Sequence, residues 1–324
     1  MAMTKTKKQK KLVNYSKWGY FFIAPFFIVY TVFALIPLLN TFYYSFFELY
    51  TVGINDVKGP FFVGFDNYVE VVTKFKFFQY LGNTMIMWVM GFVPQILVSL
   101  LLALWFTSLR LKIKGQKFFK TVIYMPNLIM ASAFAMLFFA LFSKGGPVNL
   151  YLVEKGIIPE AIDFLTSVGW TRSLVAFMNF LMWFGNTTIL LMAGIMGIDQ
   201  SLIEAAQIDG ARASQTFFRV ILPLLTPILI FVIITSMIGG VQMFDIPQIL
   251  TNGNGAPNNT TMTLVMSLNQ HLVSKNFGMA GAISVLMFIF TMMLGGIVLK
   301  ITMGDNKIKK INTTPKKNGK GGRK

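Results

Sequence analysis

The chain has 324 residues, of which 55% are hydrophobic and only 13% are charged. A soluble domain of this size carries about 25% charged residues, so the composition excludes a soluble globular protein. The absence of cysteine excludes disulfides, thiolate nucleophiles and cysteine metal sites. The net charge of +17 alone would suggest a nucleic-acid ligand, but the distribution of the lysines, described below, argues against it.

The first segment, residues 1–17, is a basic tail that carries six lysines and no acid. The apolar run that follows, 18–47, is too long for the core of a signal peptide, and no small-residue cleavage site comes after it. We therefore predict a retained membrane span with kinks at Pro25 and Pro37. Residues 48–77 are predicted to form a polar loop, so that a first span and its extracellular loop occupy 18–78.

Five further apolar runs are each close to the roughly 20 residues that a helix needs to cross a bilayer core of about 30 Å. They lie at 85–109, 118–142, 173–198, 223–244 and 277–299. The sequence thus predicts an all-α integral membrane protein with six transmembrane helices. We expect the core at 79–302 and a basic, disordered tail at 303–324.

The basic residues are distributed unevenly between the two sides of the predicted membrane. If the N-terminus is cytoplasmic, 22 of the 29 Lys and Arg residues lie inside, whereas eight of the twelve acids lie outside. This bias predicts that both termini are cytoplasmic in a multi-pass protein of the cell membrane. The basic tails then serve as topology determinants that contact membrane lipid, and no nucleic-acid partner is expected.

A polar island interrupts the apolar pattern between the fourth and fifth spans, at 199–222. Asp199 and Ser201 are predicted to cap a short helix that contains Glu204-Ala205-Ala206. Asp209 and Gly210 follow, and the glycine permits a sharp left-handed turn. A second amphipathic run containing Phe217 is predicted to end at Leu222-Pro223. The pattern predicts a helix, a glycine turn and a second helix at the membrane surface.

This stretch resembles the Glu-Ala-Ala loop of binding-protein-dependent ABC importer permeases, with the spacing to Asp209, Gly210, Phe217 and Leu222-Pro223 intact. The resemblance implies a type I ABC importer permease in a bacterial cell membrane, and a loop that docks on an ATPase subunit. The implied ATPase-coupling residues are Glu204, Ala205, Ala206, Asp209, Gly210 and Ala211. The implied partners are a second permease, two ABC ATPases and an extracellular or periplasmic sugar-binding protein.

No catalytic or cofactor site is predicted in this chain. It has no phosphate-cradling Gly-x-x-x-x-Gly-Lys-Ser/Thr motif, so we expect ATP to bind to the partner subunits and this chain not to be an enzyme. The lone histidine, His271, has no neighbours at metal-ligand spacing and is predicted to lie at the surface. The span interiors are almost free of ionisable groups, which argues against a proton-coupled carrier.

The fourth and fifth spans contain neutral polar and aromatic residues. Asn179, Trp183 and Asn186 share one helical face, and Ser236, Gly239, Gly240 and Gln242 follow in the fifth span. Two interpretations remain open: hydrogen bonds between helices, or a site for a hydroxyl-rich sugar.

The match extends through 199–253 to the sugar-importing branch of the family, of which the maltose-type subunit is a member. Carried over by offset from the Glu204 loop, the family's sugar site falls on Met182, Trp183, Asn186, Ser236, Gly239, Gly240 and Met243. Only Ser236 keeps the expected polar type, so either the sugar is a different one or the partner permease builds most of the site. The alternatives are a glycerol-phosphate permease of the same family and a channel or secondary carrier outside it.

Overall fold

The computed structural model describes residues 16–53, 56–108, 111 and 113–304. Most of both predicted basic tails lies outside these residues. Within them, six helical segments are long and apolar enough to cross a membrane: Trp18–Tyr44, Phe77–Thr107, Ala131–Glu154, Val168–Met196, Ala213–Leu250 and Phe277–Lys300. This confirms the predicted six-span helical fold. The described residues divide into two compact units, one within Met1–Val71 and His271–Val285 and the other within Val72–Gln270 and Leu286–Lys324.

In the first unit the helix of the first span changes form at one of the two prolines where the sequence predicts a kink. Helix α1 (Ser16–Tyr30) contains Pro25, and α2 (Ile36–Tyr44) begins beside Pro37. A π-helical turn at Thr31–Leu35 joins them. Because Pro37 has no N–H to donate within the helix, the turn before it widens instead of breaking.

Two antiparallel strands follow the first span, where the sequence predicted only a loop. Strand β1 (Phe47–Val52) pairs with β2 (Asp56–Phe62), and a bulge lies between Glu48 and Tyr50. Helix α3 (Asp66–Thr73) comes next, and the buried Asn67 amide donates to the carbonyls of Ser45 at 3.0 Å and Phe47 at 2.9 Å. The aromatic and β-branched residues of β1 favour a strand, a signal that the polar turn residues concealed.

The second unit is built around two long helices, α4 (Phe77–Thr107) and α8 (Val168–Met196). Polar side chains join them at two levels. Gln95 donates to the Thr187 hydroxyl at 2.8 Å, and the Ser99 hydroxyl donates to the Phe184 carbonyl at 2.8 Å. In an apolar medium such hydrogen bonds fix which helix faces meet.

The third span lies later in the chain than the predicted 118–142, at Ala131–Glu154, so the predicted bounds are wrong. Helix α5 (Gln116–Tyr124) ends in a 3₁₀ turn at Met125–Leu128, and α6 (Ala131–Phe142) begins after it. Pro126 removes one backbone donor at this point, and the extended conformation of Ile129 and Met130 redirects the chain. The described remainder of the chain contains α7 (Pro147–Glu154), α9 (Gln200–Ile208), α10 (Ala213–Thr216), α11 (Leu222–Val241), α12 (Asp245–Leu250), α13 (Leu264–Val273) and α14 (Phe277–Gly304).

Candidate functional site

A cavity of about 360 Å³ lies between α4, α8 and α11 in the second unit. Its volume falls within the range of about 300–1,000 Å³ that is usual for small-molecule sites. It is lined by Trp88, Gly91, Phe92, Gln95, Asn179, Trp183, Asn186, Thr187, Leu190, Phe231, Val232, Thr235, Ser236, Gly239, Gly240 and Met243. No lining residue is ionisable, so the cavity is suited to a neutral ligand.

The polar groups of the lining differ in how far the protein already uses them. The Asn179 amide donates to the Val175 carbonyl at 3.0 Å and lies 3.5 Å from the Met243 sulfur. The Gln95 side-chain amide donates to the Thr187 hydroxyl oxygen at 2.8 Å. By contrast, no hydrogen bond joins the Asn186 amide to any of the described residues. Asn186 therefore has both donors and an acceptor to offer a ligand.

Aromatic rings form the rest of the lining. Trp183 on α8 is 47% exposed, while Trp88 on α4 is half-buried and stacks on Phe92. The Trp88 indole N–H donates to the Ser236 hydroxyl oxygen at 3.2 Å. A sugar has apolar C–H faces and many hydroxyls. Apolar ring faces beside neutral amides and hydroxyls are therefore complementary to a sugar.

Most of the residues predicted for the substrate pathway come together in this cavity, namely Asn179, Trp183, Asn186, Ser236, Gly239, Gly240 and Met243. Two others lie outside its lining. Met182 is buried in the apolar core, because it is turned away from the face that carries Trp183. Gln242 follows the end of α11 and is exposed.

The 199–222 loop has the predicted helix–turn–helix form. Asp199 caps α9 by accepting the Ser201 backbone N–H at 2.9 Å, and this bond lowers the pKa of the Asp199 carboxyl. Gly210 has a φ of +79°, and the neighbouring Ala211 N–H donates to the Ala206 carbonyl at 2.9 Å. These bonds are those of a glycine-terminated helix end. The predicted turn is confirmed, although Ser201 lies inside α9 rather than capping it.

The second half of the loop continues into the membrane without a break. After α10 a π-helical turn, Phe217–Ile221, leads directly into α11. The predicted end at Leu222-Pro223 is therefore wrong as a helix boundary. Pro223 lacks the N–H that would donate to the Arg219 backbone carbonyl in an α-helix. The wider π-helical turn accommodates the loss of that hydrogen bond.

The surface of the loop is mostly exposed and partly apolar. Ile208 is 87% exposed, Phe218 is 62% exposed and Leu202 is 47% exposed. Around them the exposed Glu204 carboxylate accepts from the Gln200 amide at 2.7 Å. Apolar side chains that project from a polar surface are typical of a protein-binding site.

A cation lies at the start of α8 but does not belong to the cavity lining. The Arg172 guanidinium donates to the Thr260 carbonyl at 2.9 Å and to the Asn83 side-chain oxygen at 2.7 Å. Asn83 in turn donates to the carbonyls of Asn259 at 2.8 Å and Met262 at 3.2 Å. Arg172 thus ties α4 and α8 to the segment between α12 and α13, and this arginine is not placed to meet a phosphate in the cavity.

The lone histidine differs from its prediction as a surface residue. His271, at the end of α13, is half-buried, and this burial lowers its pKa while the charge of Glu70 opposes the shift. Among the residues that the structure describes, no group of three His, Cys, Asp or Glu side chains has metal-binding geometry.

Comparison with known proteins shows the family. Residues 95–304 match the family described as "Binding-protein-dependent transport system inner membrane component". The matched range contains most of the cavity and the whole 199–222 loop. The chain belongs to this family. It is therefore a multi-pass membrane permease component and not an enzyme, and the predicted resemblance is confirmed.

Individual relatives of this permease are named as sugar transport components. It is 34% identical over 264 residues to the lactose transport system permease protein of Rhizobium radiobacter, covering 82% of this chain and 85% of the relative. It is 28% identical over 301 residues to the multiple sugar-binding transport system permease protein of Streptococcus mutans serotype c, covering 90% and 97%.

A solved structure shows the same fold. A chain of a bacterial ABC transporter involved in the import of the acidic polysaccharide alginate superposes on the permease with a TM-score of 0.73 at 21% identity. The match covers 90% of this chain and 97% of that one. At this identity the likeness establishes the fold alone.

The contribution of the second span to the cavity is absent from the sequence predictions. Trp88, Phe92 and Gln95 recur at helical spacings of four and three along α4. This is the same signal that marked Asn179, Trp183 and Asn186 in the fourth span. The spacing of neutral polar and aromatic residues therefore marks the cavity face of α4 in the sequence as it does that of α8.

Proposed function

We propose that the permease is one of two membrane subunits of an ATP-driven ABC importer that carries a neutral di- or oligosaccharide through the cavity. The observation that carries this proposal is the lining, which combines aromatic rings with neutral amides and hydroxyls and contains no ionisable side chain. Relatives named for lactose and multiple sugars support the substrate class. A relative named for arabinooligosaccharides supports a chain of more than one ring.

In this proposal the pathway residues act on the sugar by stacking and by hydrogen bonding. Trp183 supplies an apolar face, and the Asn186 amide both donates to and accepts from sugar hydroxyls. Both face the cavity, which closes on one side of the membrane and opens on the other as the transporter alternates. The glycerol-phosphate alternative is disfavoured, because Arg172 is engaged with Thr260 and Asn83 rather than placed in the cavity.

The 199–222 loop transmits ATP-driven motion to the helices around the cavity. Glu204, Ala205, Ala206, Asp209, Gly210 and Ala211 shape the surface that docks on an ATPase subunit, with exposed Ile208 as its apolar contact. Two ATPases, a second permease and an external sugar-binding protein complete the assembly. The family description already specifies dependence on a binding protein.

The proposed orientation places both termini and the loop in the cytoplasm. Because the chain has no cysteine, a single introduced thiol is unique in it. A cysteine at Ser214 should be shielded from an impermeant thiol reagent in intact cells or spheroplasts, whereas one at Asn254 should react. The reverse labelling pattern would show that the 199–222 loop lies outside the cell and that the proposed orientation is wrong.

The substrate class is tested by uptake into proteoliposomes that contain the purified permease with its partner subunits and binding protein. We expect ATP-dependent uptake of at least one of lactose, cellobiose, maltose and raffinose, and none of glycerol 3-phosphate. Uptake of glycerol 3-phosphate alone would select the alternative substrate. Failure of all four saccharides would refute the proposal for neutral di- and oligosaccharides.

A further inference from the structure

Trp88 is held in the cavity wall by contacts to two helices. It projects from α4 and belongs to the lining, yet its ring also meets α11 at Ser236 and Gly240. A large aromatic side chain that is fixed in this way presents a constant surface to whatever enters the cavity.

Gly240 provides the space into which the indole fits. A Cβ built on Gly240 would overlap the Trp88 ring at Cγ and Cδ1, so alanine cannot occupy this position without displacing the ring. The adjacent Gly239 differs, because a Cβ there would meet no atom within 4 Å. Only one glycine of the pair is therefore required by the position of Trp88.

The hydrogen bond and the ring stack limit which parts of Trp88 remain for a ligand. The indole N–H is engaged with the Ser236 hydroxyl at 3.2 Å. Phe92 stacks on the ring at a centroid distance of 5.2 Å and an interplanar angle of 16°. Trp88 therefore offers a ligand one apolar face and no donor, while the Ser236 hydroxyl keeps its own hydrogen to donate.

We infer that Trp88, positioned by Gly240 and Ser236, is a specificity-determining residue that selects saccharide rings by the apolar C–H face they present. This inference rests on the proposed function and extends it from a class of ligand to a geometric preference. A pyranose stacks on an aromatic face only where its hydroxyls leave a continuous patch of C–H groups. Epimers that differ in one axial or equatorial hydroxyl therefore differ in how well they cover Trp88.

Trp183 has a different role in this account. It is 47% exposed, and among the described residues no hydrogen bond engages its indole N–H. It therefore offers both a ring and a donor, and contributes affinity to many sugars. Trp88 offers a ring alone in a fixed place, and thus contributes selectivity.

The test compares lactose with cellobiose, which differ only in the configuration of one carbon of the non-reducing ring, alongside maltose and raffinose. Initial uptake rates are measured in proteoliposomes and normalised to purified complex, for the wild type, Trp88→Ala, Trp88→Phe and Gly240→Ala. Gly82→Ala is the control, since a Cβ at Gly82 on the same helix as Trp88 meets no atom within 4 Å.

We expect Trp88→Ala and Gly240→Ala to reduce uptake of the preferred sugar about threefold to tenfold and to bring the rates for the four sugars closer together. Trp88→Phe keeps an aromatic ring and should flatten the preference only partly, whereas Gly82→Ala should leave the rates and their order unchanged. If Trp88→Ala does not assemble, the other two variants decide the question. A merely structural role would change the yield of complex but not the order of preference.

Two outcomes count against the inference and are distinguishable. Unchanged preference in Trp88→Phe and Gly240→Ala, with the wild type active on at least one sugar, overturns the role of Trp88 while leaving the proposed function in place. Absence of uptake for all four sugars in the wild type refutes the proposed function itself.

Discussion

The cavity and the 199–222 loop belong to the same compact unit but are built by opposite means. The loop is held by bonds between near neighbours, such as Ala211 to Ala206, and most of its side chains are exposed. The cavity is assembled from distant parts of the chain, with Trp88 and Ser236 separated by 148 residues. In the proposed function the loop presents its surface to another protein, whereas the cavity accepts a small molecule. Substitutions should therefore separate coupling from recognition.

The largest expected effect is at the turn of the loop. Gly210→Pro should reduce uptake at least a hundredfold while the permease still inserts in the membrane. Proline fixes φ near −65°, and the native φ is +79°. Initial uptake rate per assembled complex is the measurement.

Gly210→Asn is the matched control for that prediction. Asparagine tolerates the left-handed region, and Asn252, Asn258 and Asn259 already adopt it in this chain. It should keep most of the uptake. Normal uptake by the proline variant would show that the turn at Gly210 is not needed for coupling to the ATPase.

The next largest effect concerns the hydrogen bonds of Arg172 and not transport itself. Arg172→Leu should accelerate amide hydrogen exchange at 252–262 by about tenfold to a hundredfold, because hydrogen bonds to a charged group each contribute about 1.5–3 kcal/mol. The bonds lost are those to Thr260 and Asn83. The control is Lys144→Leu, which removes an exposed cation that takes no part in these hydrogen bonds. It should leave the exchange at 252–262 unchanged. Unaltered exchange in Arg172→Leu would show that the segment is held by other contacts.

Recognition in the cavity is expected to be weakened rather than abolished. The double variant Trp183→Ala/Asn186→Ala should reduce sugar uptake per purified complex about tenfold to thirtyfold, since stacking and one hydrogen bond each contribute about 1 kcal/mol. Assembly with the ATPases should be unaffected. Lower yield with unchanged normalised uptake would instead assign these residues to helix packing.

The smallest effect is at the cap of α9. Asp199→Ala should speed amide exchange at 200–204 about threefold to tenfold, while Asp199→Asn, which also caps helices well, should change it little. Because the bond to Ser201 lowers the pKa of Asp199 in the folded state, the contribution of the charged cap is fully present above the ordinary carboxyl pKa. It is lost as the pH falls through the lowered value. Exchange that does not depend on this substitution would exclude Asp199 as a stabilising cap.

The same contrast explains what the sequence could predict. The turn at Gly210 and the cap at Asp199 depend on residues a few positions away, so composition and spacing were sufficient. The number of spans follows from hydrophobic length and is confirmed, although the third span lies at Ala131–Glu154 and not at 118–142. The interruption after α5 was missed because a proline inside an apolar run does not by itself say whether a helix bends or stops.

The cavity was only partly predictable for a physical reason. The polar faces of the fourth and fifth spans are visible in the sequence, but the fit of Trp88 against Gly240 depends on how α4 packs against α11. The predicted departure from the family pattern at Gly240 acquires an explanation in that contact, since the indole occupies the space that a side chain would fill. The proposal that these residues bind sugar rests on the chemistry of the cavity lining.

The most direct test of that proposal uses a single thiol in the cavity. In the assembled complex, Asn186→Cys should react with a small methanethiosulfonate reagent, followed on this chain by mass spectrometry. A saccharide that the complex transports, delivered by its binding protein, should slow that reaction at least fivefold, and should leave a Ser214→Cys control unchanged. Equal reaction rates at Asn186→Cys with and without the transported sugar would contradict the account.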